Sequence, residues 1–134
     1  MMNFFDKLFG NNKNYNNNNY NDKKVNYQNC LNLYLNKKNI KLDSLKTIFI
    51  VEESFLLTRN NCKIIAITGK VEKGNIKIGD ELYYVDENMQ LIPVNILGIE
   101  KFRQQFEEAY AGDLIGMTVD ISKKLPANLY LFKV

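Results

Sequence analysis

Histidine is absent from all 134 residues, so acid–base chemistry would fall to carboxylates or lysine, and a zinc site would need carboxylates or a second chain. Cysteine is scarce as well. Cys30 and Cys62 stand far apart with no metal-type spacing and read as two ordinary reduced thiols. No apolar run approaches the roughly 18 residues that a membrane-spanning helix needs. Residues 1–10 lack the continuous apolar stretch of a signal peptide, and the expected location is the cytoplasm. Adjacent acidic pairs occur at Glu52-Glu53, Asp86-Glu87 and Glu107-Glu108. Neighbours in a strand point to opposite faces and neighbours in a helix diverge by about 100°, so none of these pairs converges on one reacting atom. We expect no metal, no cofactor and no catalysis.

What the sequence does contain divides it into unlike parts. Asn and Lys are abundant, but an AT-rich coding bias gives the same excess, so bulk composition says little about function. Residues 11–29 are mostly Asn, broken by Tyr15, Tyr20 and Tyr27, with no apolar period of 2 or 3.6. Such a stretch buries too little surface to offset its ordering entropy, and it reads as a disordered linker. The other reading is a nucleic-acid-contacting arm, with tyrosines for stacking and Lys13, Lys23 and Lys24 for phosphates. Ahead of it, residues 1–10 form a short amphipathic peptide, where Phe4, Phe5, Leu8 and Phe9 share one side of a helical pattern that Gly10 can stop. That peptide suits docking to a partner groove or a membrane surface, or packing on its own domain.

Residues 30–46 form a connecting segment in which Leu31, Leu33, Leu35, Ile40, Leu42 and Leu45 give a mixed pattern, broken near 36–39. A helical turn or short strand is expected there. From Thr47 onward, short β-branched and aromatic runs alternate with Gly, Asn, Asp and Glu at the spacing of an all-β barrel. Strands are expected over 47–51, 63–71, 81–85, 91–98, 114–119 and 129–134. Lys73-Gly74-Asn75 and Ile78-Gly79-Asp80 supply turn chemistry. Phe102, Phe106 and Ala109 follow helical spacing and predict one or two helical turns laid across the barrel.

The run Thr68-Gly69-Lys70-Val71-Glu72-Lys73-Gly74-Asn75-Ile76-Lys77-Ile78-Gly79-Asp80-Glu81-Leu82 resembles the central signature of the second, β-barrel domain of translational GTPases such as elongation factor Tu. Two further segments follow in the family's order, Gly98-Ile99-Glu100-Lys101-Phe102-Arg103 and Glu107-Glu108-Ala109-Tyr110-Ala111-Gly112-Asp113-Leu114-Ile115-Gly116. The resemblance covers residues 47–134 and implies a small closed barrel of Greek-key type. It also implies a pocket for the terminal adenosine of transfer RNA, with Glu100, Phe102 and Arg103 in it and Lys63 where the family has an arginine. Here Cys62 and Ile64 replace the family's flanking glycines. By burial alone Phe102 reads as core beside Phe106, and Glu100 with Arg103 as a solvated pair.

The GTPase itself is not written in this chain. No Gly-rich loop ends in Gly-Lys-Ser or Gly-Lys-Thr, Asn36-Lys37-Lys38 leads to Asn39 rather than Asp, and Asp113-Leu114-Ile115-Gly116 stands without its loop. GTP binding by this chain is not expected. Charge is split: up to Lys46 eight lysines face Asp6, Asp22 and Asp43, a net of +5, whereas from Thr47 ten basic residues face twelve acidic ones, a net of −2. A nucleic-acid-binding surface is ordinarily basic, so the mildly acidic barrel favours a non-catalytic module with a protein partner. The alternative, which the resemblance favours, is a translation-associated module in contact with ribosome, transfer RNA or a translation factor.

Overall fold

A computed structural model describes residues 26–134. Helix α1 (Tyr27–Lys37) opens it, capped by the Asn26 side chain, which accepts a hydrogen bond from the Asn29 amide at 3.0 Å. Leu31 and Leu35 lie one turn apart on its buried face. They pack with Leu45, Ile48, Val85 and Phe132 into a small core of their own against the barrel. The helix thus starts inside the stretch expected as linker and occupies about the first half of the expected connecting segment; its end at Lys37 agrees with the break read near 36–39.

Nine strands follow: β1 (Thr47–Arg59), β2 (Cys62–Lys73), β3 (Asn75–Lys77), β4 (Glu81–Val85), β5 (Leu91–Lys101), β6 (Gln104–Phe106), β7 (Glu108–Tyr110), β8 (Leu114–Asp120) and β9 (Tyr130–Lys133). Six of them close an antiparallel barrel in the order β1-β2-β8-β5-β4-β9, with β9 returning to β1. Strands β4, β5 and β8 run consecutively and β9 comes back beside β4, which is a Greek key. Closure leaves the barrel no long unpaired edge. Strand β6 extends β5 as a hairpin, and β3 pairs with β7 as a separate ribbon.

Alternation along the strands fills the interior with Phe49, Ile67, Ile96, Ile99, Met117 and Leu131, each at most 1 % exposed. Gly74 and Gly79 hold φ of 76° and 95°, as the turn chemistry at those positions requires. The loop before β9 is tied down at Ser54, whose hydroxyl donates to the Leu125 carbonyl at 2.6 Å and accepts from the Leu125 amide at 3.0 Å. The helical turns expected across Phe102, Phe106 and Ala109 are absent. That stretch is a hairpin and a short strand, β5–β6 and then β7, and the helical spacing of its apolar residues is a coincidence of a turn between them.

Candidate functional site

Two hairpins in the barrel turn through two residues that both hold positive φ, the geometry of a type I′ turn. In the β1–β2 hairpin those residues are Asn60 and Asn61, at 50° and 64°. Asparagine tolerates that conformation well. In the β5–β6 hairpin they are Phe102 and Arg103, at 55° and 65°. Neither residue type suits the left-handed region, and an L-residue there costs roughly 1–2 kcal/mol. Phe102 gains little from burial in exchange, since it is 79 % exposed. The expectation of Phe102 in the core is therefore corrected: the turn carries it past the end of the strand and out into solvent.

Below this tip the hairpin pairs Lys101 with Gln104 and Glu100 with Gln105. Lys101 turns away, placing Nζ 3.3 Å from Asp113 Oδ2 and 4.7 Å from the centre of the Phe106 ring. Those contacts anchor the hairpin to the β7–β8 turn. Glu100 turns the other way, into a cavity of about 190 Å³ that it lines with Arg59, Leu97, Gly98, Gln105 and Thr118. Leu97 is a bulge: β5 pairs Ile96 with Val119 and Gly98 with Thr118, leaving Leu97 unpaired and 53 % exposed. Across the strand, a Cβ on Gly98 would stand 2.8 Å from Thr118 Oγ1, so the glycine keeps the cavity floor open.

The structure brings Glu100, Phe102 and Arg103 onto one hairpin. Arg103 is already engaged in an interaction of its own. Lys63 lies opposite Thr58 on the β1–β2 hairpin and does not line the cavity. Arg59, from the same hairpin, does. Phe4, Phe5, Leu8 and Phe9 lie outside the described residues. Arg59, Gln105 and Thr118 were not singled out in the sequence; the Asn60-Asn61 pair between two apolar runs was the readable signal that Arg59 ends a strand at a tight turn.

Chemically the cavity offers the guanidinium donors of Arg59, the carboxylate acceptors of Glu100, and an amide and a hydroxyl that do both. Its volume is below the roughly 300 Å³ at which drug-sized ligand pockets begin, so it fits one side chain or one base rather than a whole cofactor. Among the described residues no group of His, Cys, Asp and Glu is placed to hold a metal ion, and no helix is long and apolar enough to cross a membrane. Cys30 is half-buried and Cys62 exposed, both as free thiols. No protein-family model matches the chain.

Proposed function

We propose that this chain is a non-catalytic, cytoplasmic binding module that holds another protein at the β5–β6 hairpin tip and the cavity beside it. The observation that carries the reading is Phe102, an aromatic ring 79 % exposed on a turn whose φ of 55° disfavours it. Backbone strain and an exposed aromatic together serve contact rather than stability. The cavity below supplies polar groups for one anchoring side chain of the partner, and the mildly acidic barrel fits a protein ligand better than a polyanion. The module carries none of the loops by which a GTPase holds nucleotide.

A second reading has a specific observation in its favour. Glu100, Phe102 and Arg103, the residues that the resemblance to the second domain of elongation factor Tu assigns to an adenosine pocket, share one hairpin. On that reading the module is translation-associated, with the ring stacking on a base and Glu100 accepting from a ribose or an amine. Capture of partners by the tagged full chain, with RNase and without, and with the Phe102→Asn variant beside it, separates the two. A discrete protein that survives RNase and is lost with Phe102→Asn supports the protein-binding reading. Ribosomal components that vanish with RNase support the second. Capture that ignores the substitution removes the hairpin from both.

A further inference from the structure

A second cavity, of about 450 Å³, opens on another part of the barrel, between the start of α1, the β4–β5 turn and the segment after β8. Two tyrosines stand among its mostly polar lining residues. Tyr27 of α1 and Tyr84 of β4 meet edge to face, ring centres 6.4 Å apart and planes at 75°. Ile92 and Ile121 add an apolar floor. Tyr84 is only 6 % exposed, lines the cavity, and has no hydrogen-bond partner for its hydroxyl among the described residues. Thr68 Oγ1 is the one buried polar side-chain atom without a partner among the described residues, so the Tyr84 hydroxyl meets solvent and is open to a polar group of a ligand.

The polar groups at the rim set the sign of that group's charge. Asp86, Glu87 and Asp120 border the cavity against Lys123 alone. Asp86 Oδ1 is taken up within the turn by the amides of Asn88 and Gln90, and Glu87 Oε1 accepts weakly from the Tyr27 hydroxyl at 3.5 Å. Glu87 and Asp120 are exposed and keep acceptor capacity. Burial first, and then the carboxylates nearby, push both tyrosines above their ordinary pKa, so both phenols stay neutral at physiological pH. Carboxylates exclude an anion here, and the described residues form no metal-binding group. An organic cation remains. A guanidinium fits best, because it is planar, stacks on aromatic faces, and carries enough donors for carboxylates and a phenol oxygen together.

We propose that this cavity binds an arginine side chain presented on a peptide, separately from the hairpin site. The test is titration of the full chain with Nα-acetyl-arginine amide, followed by amide NMR. Saturable shifts are expected at Tyr27, Tyr84, Glu87 and Ser122, and none with the citrulline analogue, which has the same shape without the charge. The double variant Glu87→Gln/Asp120→Asn changes only exposed positions and should weaken binding about fivefold or more. The proposal is overturned by a lack of saturable shifts in the wild-type chain, by equal shifts with citrulline, or by undiminished binding in the double variant.

Discussion

Phe102 offers a sharp test of whether the β5–β6 tip is strained. Its φ of 55° is open to asparagine, resisted by phenylalanine and most strongly resisted by a β-branched residue. Replacing Phe102 by Asn should recover about 1 kcal/mol of left-handed strain. Because the ring is 79 % exposed, its removal forfeits only about a fifth of a buried side chain's contribution, roughly 0.3–0.6 kcal/mol. The net gain is about 0.5 kcal/mol, or a Tm higher by about 2 °C at roughly 4 °C per kcal/mol for a domain of this size. Phe102→Val loses the same burial and adds strain, so it should fall about 1.5 kcal/mol below wild type. Thermal unfolding by circular dichroism should then separate the Asn and Val variants by about 8 °C. Equal midpoints, or an Asn variant less stable than wild type, would refute the claim that strain sits at this tip.

Three further expectations rest on other parts of the fold. Gly98→Ala should cost about 1–2 kcal/mol because its Cβ meets Thr118 Oγ1 at 2.8 Å, and Thr118→Ala in the same chain should restore most of that in a double-mutant cycle. Asn26→Ala should cost about 1 kcal/mol by removing the α1 cap, while Asn26→Ser should be nearly neutral; chemical denaturation reads both. Burial would raise the Asp80 carboxyl, but the Lys77 amide and the Lys133 ammonium at 3.0 Å outweigh it and hold its pKa below the usual value. Its stabilisation is therefore full above the unfolded-state pKa near 4 and is lost as pH falls through the lower folded value. Denaturation midpoints of wild type should drop toward those of Asp80→Asn below about pH 4; a constant gap down to about pH 2 would contradict the assignment.

The legible parts of this fold were those where a residue's chemistry is local. Strand β4 matched its expected limits because Glu81–Val85 lies between two turns, and the turns themselves were marked by Gly74 and Gly79. Strand β1 was cut short at Val51 because Glu52 is a bulge, unpaired between the Val51–Gly69 and Glu53–Thr68 pairs, and it breaks the alternation of the following residues. Strands β3, β6 and β7 are three residues each, too short to show any period. At the candidate site, Glu100, Phe102 and Arg103 were named from sequence, yet Phe102 was assigned to the interior because nothing local announces a Phe-Arg type I′ turn. Thr118 joins Glu100 only through the pairing of β8 with β5, and Arg59 only through the packing of strands far apart in sequence, both non-local events.

The most direct test of binding at the hairpin is a photo-reactive phenylalanine analogue placed at position 102 of the full chain and irradiated in native lysate. The same analogue at Leu33, on α1 and 52 % exposed, serves as the control for mere exposure. The binding reading predicts a discrete adduct from position 102 that is missing from position 33. No adduct at 102, or the same adduct from both positions, would contradict it.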